Sequence, residues 1–343
     1  MFLRNLWYFA IPGASLKRGA MTRKIMLDEP LLIARDSDGA PFAIRDVCPH
    51  RGIPLSDGAF DGREIECCYH GWRFDRTGRC TMIPSLIADQ KFNLDRVRTR
   101  QYLCREIQGN IWIFFGDDAD DAVGDENPPP NIPGVGERAP GLSETMMFPS
   151  SVDHAVVGLM DPAHGPFVHQ SWWWRSQRSM HEKSKRFAPS PLGFTMLRHP
   201  PSSNSGAYKL LGGAMTTEIS FRLPGVRIEH IQAGRHVLCG LTAMTPITAK
   251  ETEVNHVIYW TQPWLVPMKP LLRPFVRAFL RQDRDIVIKQ QEGLKYESNL
   301  MLINDADMQA KWYYQLKRAW EKAQQDGSAF ENPVEPRELR WRS

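Results

Sequence analysis

The chain has 343 residues, of which 42% are hydrophobic and 24% are charged, so it is long enough for two ordinary domains with hydrophobic cores. Its formal net charge of +4 is too small to indicate a nucleic-acid partner, and no apolar run approaches the roughly 20 residues of a membrane-spanning helix. We therefore expect a soluble globular protein. The irregular spacing of its six cysteines, which does not suit a disulfide framework, favours the cytoplasm.

Two Cys–His pairs stand out in the first third of the chain, where short β-segments such as LLIARD, FAIRDV and NIWIFFG alternate with turns. Cys48 and His50 form the first pair, and Cys67 and His70 form the second. Thiolates and imidazoles are ligands of both iron–sulfur clusters and zinc. In a Rieske [2Fe–2S] centre each C-x-H or C-x-x-H pair supplies one ligand of each kind, whereas a Cys2His2 zinc finger keeps its cysteines together. The order of these residues therefore favours a two-iron cluster over zinc.

The segments CPHRG and CCYHGWRFD resemble the Rieske non-haem iron oxygenase family. The chain length, the single-chain organisation and the QD start of a later helix resemble the vanillate O-demethylase and dicamba demethylase type of that family. The resemblance implies a Rieske domain over residues 1–116. Respiratory Rieske proteins have a disulfide between two further cysteines, and this chain has Ile53 and Tyr69 at those places, which implies a cluster of the oxygenase and ferredoxin type. Cys68 occupies a position where the family usually has proline, and we interpret it as a buried residue outside the ligand set.

Residues 117–141 are acidic and rich in proline and glycine, which predicts a linker. Residues 142–343 then combine helical and strand patterns: a helical stretch near residues 152–170, strand-like runs between 216 and 260, and helices from about 268 to 298 and from 304 to 325. Helices flanking an antiparallel sheet make an α+β domain. We interpret the apolar alternation in residues 217–260 as the inner face of that sheet.

The pattern D-x-x-H-x-x-x-x-H, formed by Asp161, His164 and His169, is a second candidate metal site. Mononuclear iron(II) oxygenases use two histidines and one carboxylate on one face of the metal. On a straight helix two residues five apart point about 140° from each other, so the helix must break between the histidines. Gly165-Pro166 is the expected break. The pattern resembles the iron-binding motif of the same family, although two histidines could also be ordinary polar residues at a helix end.

The third iron ligand is expected in the segment LLRPFVRAFLRQDRDIVIKQQEG, which offers Asp283 and Asp285. Asp283 lies in an apolar stripe at three- and four-residue steps, and Asp285 lies off it. A buried carboxylate requires a partner, and iron is one such partner while arginine is the alternative. The stripe consists of Leu272, Val276, Phe279, Leu280, Asp283, Ile286 and Val287.

The resemblance also implies a role for Asp161. In the family the equivalent aspartate connects the iron ligand to a Rieske histidine of the neighbouring subunit, which would link His164 to His70 of a second chain in a homotrimer. A helix N-cap at Asp161 is a compatible alternative. Many family members have asparagine three residues before this aspartate, where this chain has Gly158, so no role of that amide is transferred.

By resemblance, the chain is the terminal oxygenase component of a system in which electrons from NAD(P)H pass through a separate reductase or ferredoxin to the cluster, and then to iron(II). Dioxygen would then be used to hydroxylate or oxidatively demethylate an apolar or aromatic substrate. The alternatives are a ring cis-dihydroxylating dioxygenase, a sterol methyl oxidase, or, in another class, a Rieske electron carrier with a non-catalytic binding domain. Trp172, Trp173 and Trp174 could wall the iron pocket or belong to a core or interface.

Overall fold

The computed structural model describes residues 2–117, 127–169, 180–201, 215–297 and 299–343, so the three consecutive tryptophans at 172–174 lie outside the described residues. The chain divides into two compact units, Phe2–Asn131 and Ile132–Ser343. The boundary between the units falls inside the segment 117–141 that was expected to be a linker. Among the described residues, no helix is both long and apolar enough to cross a membrane.

The first unit is built from short antiparallel strands in three sheets, ordered β1-β11-β10, β2-β3-β4-β9 and β5-β6-β7-β8. Aromatic residues dominate β1 and β11, and the cross-strand pair Phe9 and Trp112 meets edge to face at 5.3 Å. The strands are β1 (Leu6–Pro12), β2 (Ala20–Met26), β3 (Glu29–Arg35), β4 (Pro41–Arg45), β5 (Ala59–Phe60), β6 (Ile65–Glu66), β7 (Arg73–Phe74), β8 (Cys80–Met82), β9 (Gln101–Tyr102), β10 (Cys104–Ile107) and β11 (Asn110–Phe115).

In the part of the second unit that the structure describes, the strands form an eight-stranded antiparallel sheet, ordered β12-β18-β17-β16-β15-β14-β13-β19. The described residues of this unit form four α-helices: α1 (Val152–Met160), α2 (Gly165–Val168), α3 (Lys269–Gly293) and α4 (Met308–Asp326). The predicted class, an all-β domain followed by an α+β domain, is confirmed. The strands are β12 (Leu142–Phe148), β13 (Glu182–Ser190), β14 (Gly193–His199), β15 (Met215–Arg222), β16 (Val226–Ala233), β17 (His236–Thr248), β18 (Glu251–Trp260) and β19 (Arg337–Arg342).

The helices α1, α3 and α4 pack on one side of this sheet, which we call the helix-facing side. Tyr313 of α4 meets Phe221 of β15 at a ring distance of 5.8 Å. Leu272 and Val276 of α3 pack against the cluster that contains Trp260 of β18. The sheet and these helices thereby enclose the hydrophobic core of the second unit.

The apolar alternation in residues 217–260 was expected to mark the inner face of the sheet, and the structure differs from this expectation. Leu241 and Val257 are buried on the side opposite the helices, where the segment 132–136 lies over the sheet and the Pro133 carbonyl is 3.2 Å from His230 Nε2. The helix-facing side instead carries a polar residue, His256, at the centre of β18. The apolar alternation therefore does not mark the inner face alone, because both sides of this sheet are covered.

The helical stretch expected near residues 152–170 is two helices, and the predicted break is misplaced. α1 ends at Met160, and Gly165-Pro166 begins α2 instead of ending a helix. Proline is well suited to the first turn of a helix because its missing N–H would have no partner there. The chain turns before it, at Asp161-Pro162, where Asp161 Oδ1 accepts a hydrogen bond from the Ala163 N–H at 2.7 Å.

Candidate metal centres

The two Cys–His segments form loops with the same backbone hydrogen bonds. In the first loop the Cys48 N–H donates to the Ile53 carbonyl, and the Gly52 N–H donates to the Cys48 carbonyl, both at 2.8 Å. The second loop repeats both bonds around Cys67, with the Gly71 N–H as the returning donor at 2.9 Å. Gly52 and Gly71 have φ values of 73° and 68°, a left-handed conformation that favours glycine. Each loop therefore closes on itself.

The thiols of Cys48 and Cys67 are buried together in the core of the first unit. Burial raises the pKa of the Cys48 thiol to about 11, and the neighbouring Cys67 thiol contributes to the rise. A thiol must lose its proton to bind iron, so two buried neighbouring thiolates require a cation between them. This pair is suited to binding one iron of a cluster.

His50 and His70 lie at the outer side of the same loops, with ring centroids 4.5 Å apart. His50 stacks on Trp72 at 4.3 Å with an angle of 3° between the ring planes, which fixes its orientation. Its Nδ1 atom is buried and has no hydrogen-bond partner among the described residues. A buried polar atom without a partner costs free energy, and a metal bond would remove that cost. The residues thus fit a Rieske cluster bound by Cys48, Cys67, His50 and His70.

Cys68, at the tip of the second loop, was expected to be buried. It is exposed. The loop directs the Cys67 side chain into the core, so the residues after it at the tip face solvent. The adjacent Tyr69 is 58% exposed, and its ring lies 3.9 Å from that of His70.

In the second unit the structure brings His164, His169 and Asp283 together, with one candidate ligand atom of each within 4.8 Å of the others. The two Nε2 atoms are 3.2 Å apart, and Asp283 Oδ1 lies 3.1 Å from His169 Nε2 and 3.7 Å from His164 Nε2. Asp285 is exposed and lies outside this group. Among the described residues the ion-pair partners of Asp283 are these two imidazoles, and none is an arginine. Two imidazoles and one carboxylate are the donor set that non-haem iron(II) prefers.

Three elements position this site. His164 immediately precedes the single turn of α2 and His169 immediately follows it, so that turn fixes the spacing of the two rings. Asp283 lies on α3, which is attached to β12 by an ion pair between Arg273 and the buried carboxylate of Glu144.

Two contacts that the sequence did not reveal orient the histidine rings. His169 Nδ1 lies 3.0 Å from Gln282 Oε1, and His164 Nδ1 lies 2.8 Å from the backbone carbonyl of Asp161. Each acceptor selects the tautomer that carries its proton on Nδ1, which leaves the Nε2 lone pair facing the other ligands. Burial lowers the pKa of His164, although the charges of Asp161 and Asp283 oppose that shift. Its imidazole is therefore held in the neutral form that binds metals.

Phe279 is a further neighbour of the site. Its ring stacks on His169 at 3.8 Å with an angle of 16°, while 41% of the residue remains exposed. It belongs to the predicted apolar stripe of α3, but Ile286 of that stripe is also exposed, and only Leu280 and Val287 are fully buried. The proximity of Phe279 and Gln282 to Asp283 in sequence is the one signal that could have identified them.

Asp161 occupies the C-cap of α1, and its side chain is 33% exposed. Its Oδ2 atom lies 3.7 Å from His164 Nδ1. The alternative role of Asp161 as a helix N-cap is wrong, because α2 begins only at Gly165 and the residue before it is His164. A connection from Asp161 to another chain stays a prediction.

Comparisons with known proteins identify relatives of this chain. A family model described as the Rieske [2Fe-2S] domain matches residues 6–97. The oxygenase component of dicamba O-demethylase from Stenotrophomonas maltophilia is 35% identical over 174 residues, which cover 50% of this chain and 48% of that protein. The 4beta-methylsterol monooxygenase of Methylococcus capsulatus is 38% identical over 129 residues, covering 38% of this chain and 34% of that protein.

Likeness in three dimensions extends over both units. The crystal structure of dicamba monooxygenase bound to 3,6 dichlorosalicylic acid matches with a TM-score of 0.76 at 22% identity, covering 95% of this chain and 98% of that chain. The predicted resemblance to Rieske oxygenase components is confirmed. The matches to the two curated relatives span about half of their length or less.

Proposed function

We propose that this chain, whose N-terminal unit contains a Rieske [2Fe–2S] domain, is the terminal oxygenase component of an electron-transfer system and acts as a Rieske-type iron-dependent monooxygenase. The observation that carries the proposal is the coexistence of two distinct ligand sets in one chain, one of two cysteines and two histidines and one of two histidines and a carboxylate. When bound, the cluster supplies one-electron storage and the mononuclear iron(II) supplies dioxygen activation.

The protein residues perform the supporting steps. Cys48, His50, Cys67 and His70 would hold the cluster in a domain of residues 1–116, and His164, His169 and Asp283 would hold iron in a catalytic domain of residues 142–343 joined by the linker 117–141. Gln282 keeps the His169 proton on Nδ1. A separate reductase or ferredoxin would supply NAD(P)H-derived electrons, and we place the protein in the cytoplasm, where a reducing environment maintains cysteine ligands.

The reaction is hydroxylation or oxidative demethylation of an apolar or aromatic substrate. The relative named as an oxygenase component of dicamba O-demethylase supports demethylation. The relative named 4beta-methylsterol monooxygenase supports oxidation of a sterol methyl group as a second candidate. A ring cis-dihydroxylating dioxygenase is a further alternative, supported by a 32% identical relative named 3-chlorobenzoate-3,4-dioxygenase oxygenase subunit from Comamonas testosteroni.

Metal and sulfide content tests the proposal against a Rieske electron carrier with a non-catalytic second domain. We expect about three irons and two acid-labile sulfides per chain. About two irons and two sulfides after reconstitution with iron(II) would instead favour the carrier. Oxygen-dependent product formation with a surrogate reductase then tests the reaction.

Asp161 tests the arrangement of subunits. We propose a homotrimer in which Asp161 of one chain connects His164 to His70 of the next, and its partly exposed carboxylate close to His164 supports this. Asp161→Asn should leave both metals bound and slow substrate-coupled oxidation of the cluster by at least about a hundredfold, a transition-state change of about 2.7 kcal/mol. Stopped-flow absorbance measures this rate, and Asp285→Asn is the matched control because Asp285 is exposed and outside the site. Unchanged kinetics in Asp161→Asn would remove the connecting role, and light scattering checks the trimer.

A further inference from the structure

A polar hollow lies at one end of the large sheet, where β16 turns into β17 and where β18 has just ended. Its volume is about 610 Å³, a size that is common among small-molecule sites. The residues that line it include Glu137, Arg138, Arg235, His236 and Thr261. All of them belong to the second unit, and none is a member of either ligand set. A molecule bound here would therefore lie outside both candidate metal centres.

One wall of the hollow is the turn at residues 133–138, which packs against the sheet. His230 Nε2 donates a hydrogen bond to the Pro133 carbonyl, and the two atoms are 3.2 Å apart. Gly134 has φ of 78° and passes so close to β17 that a Cβ atom there would lie 2.9 Å from Val237 Cγ2. The backbone of this wall is thus attached to the sheet at two places.

A second wall contains a connected set of hydrogen bonds. The Arg235 Nε–H donates to His236 Nε2 at 3.4 Å, so the imidazole proton is on Nδ1. That Nδ1 lies 3.4 Å from Thr261 Oγ1, which also accepts the Val237 N–H at 2.8 Å. Both contacts use the hydroxyl oxygen as an acceptor. The Thr261 O–H is therefore able to donate to a ligand.

Positive charge exceeds negative charge in the hollow, because Arg138 and Arg235 are accompanied by one carboxylate, Glu137. Among the residues that the structure describes, neither guanidinium forms an ion pair. Each carries five N–H donors and no acceptor, and Arg235 uses its Nε on His236. Two like charges at one hollow repel each other, and an anion bound between them turns that repulsion into attraction.

We propose that this hollow is an anion-binding site for a phosphate group, either inorganic phosphate or the phosphate of a small organic ester. A phosphate ester carries a charge of about −1.5 to −2 at neutral pH and has three acceptor oxygens that point in different directions. These match the guanidiniums of Arg138 and Arg235 and the hydroxyl of Thr261, which lie at separate places around the hollow. A carboxylate, by contrast, has two coplanar oxygens and a single charge. The volume leaves room for an organic group beside the phosphate.

Calorimetry on the whole metal-loaded chain, in phosphate-free buffer at constant ionic strength, tests the proposal. The probes are inorganic phosphate, phenyl phosphate and adenosine monophosphate, with nitrate as the monovalent control. We expect at least one phosphate probe to bind at least about tenfold more tightly than nitrate. If none exceeds nitrate by this factor, the proposal is overturned. Tighter binding of an ester than of inorganic phosphate identifies an organic ligand, and any other order identifies the free ion.

Arg138→Gln and Arg235→Gln should each weaken binding of the best phosphate probe by at least about tenfold, because each removes a charge-assisted contact. Arg198→Gln is the matched control, since it breaks an exposed Arg–Glu pair with Glu218 at 3.8 Å, and it should retain the affinity. The visible absorbance of the cluster checks that all three variants fold. A smaller loss in either of the first two variants, or an equal loss in Arg198→Gln, overturns the assignment.

Glu137→Gln supplies a test of the opposite sign. Removing this carboxylate should tighten phosphate binding by at least about twofold, because it repels the anion. Unchanged or weaker binding would overturn the location.

Phosphate also binds iron, so the calorimetry is repeated with His169→Ala, which removes a ligand of the mononuclear site. Retained affinity in this variant assigns the binding to the hollow, whereas lost affinity assigns it to iron and overturns the proposal. The outcome is independent of the oxygenase proposal: phosphate binding without oxygen-dependent product rejects only the oxygenase, and turnover without phosphate binding rejects only the anion site.

Discussion

Gln282 illustrates how one side chain can govern a metal site without being a ligand. Its amide oxygen lies 3.0 Å from His169 Nδ1, next in sequence to Asp283. The hydrogen bond holds the imidazole in one tautomer and one orientation, so that Nε2 faces His164 and Asp283. Removing such a contact leaves the ligands in place but lets the ring rotate.

Gln282→Leu should therefore lower iron(II) affinity by about 10- to 100-fold, as is usual for groups that orient a metal-bound histidine. Competition with a colorimetric chelator measures the affinity. Gln290→Leu makes the same change elsewhere on α3 and is expected to have little effect. Equal affinities for the two variants would contradict the orienting role.

His256 should make stability depend on pH. Its pKa is lowered to about 4 in the folded chain, whereas an unfolded histidine has a pKa of about 6.5. Unfolding therefore takes up a proton between these values, so the free energy of unfolding is unaffected above about pH 6.5 and falls as the pH drops towards 4, by up to about 1.4 kcal/mol per pH unit.

Urea unfolding of metal-depleted wild type and His256→Gln, measured from about pH 8 to about pH 5, checks this sign. The variant should lose less stability on acidification, and the two curves should run parallel above about pH 7. Parallel curves throughout would show that His256 does not exchange a proton on unfolding.

Among the helices, α1 contains a residue that weakens it. Gly158 lies inside the helix, and a Cβ there would meet no described atom within 4 Å. Glycine loses more backbone freedom than alanine on helix formation. Gly158→Ala should raise the free energy of unfolding by up to about 1 kcal/mol, measured by urea denaturation. A destabilised alanine variant would show that this position requires glycine.

Replacing a glycine in the Cys–His loops should lower the stability of the protein, in contrast to Gly158→Ala. Gly71 has φ of 68°, and a Cβ there would lie 3.1 Å from Pro84 Cγ. Gly71→Ala should cost about 1–2 kcal/mol and reduce the visible absorbance of the cluster per chain. A variant with wild-type stability and cluster content would show that the loop accepts a side chain at this place.

For the chain as a whole, the two metal sites should be separable. His169→Ala is expected to retain about two irons and two sulfides per chain, and His70→Ala about one iron and no sulfide, because the ligand sets share no residue. Iron and sulfide analysis checks both variants. If either substitution emptied both sites, the two ligand sets would not be independent.

The parts of the molecule that were predictable depend on local patterns. The order of Cys48, His50, Cys67 and His70 favours a cluster over zinc because each pair contains one cysteine and one histidine. Asp283 was distinguishable from Asp285 because a carboxylate in an apolar stripe is uncommon. These choices needed only short stretches of sequence.

What escaped prediction depends on contacts between distant segments. Gln282 meets His169 across 113 positions of sequence, and a single amide in a polar helix gives no periodic signal. The helix break was misplaced because Gly165-Pro166 starts a turn as readily as it ends one. Cys68 was misjudged, since residue type favours burial of cysteine, whereas the loop direction set by Cys67 exposes it.

The backbone hydrogen bonds within the two Cys–His loops bear on how far the shape of these loops depends on a metal. Each loop is closed by its own pair of backbone hydrogen bonds around a left-handed glycine, so contacts within the loop backbone contribute to its shape. Zinc fingers, by contrast, gain most of their fold from the ion itself. We therefore expect the two Cys–His loops to depend less on a bound metal for their shape than zinc fingers do.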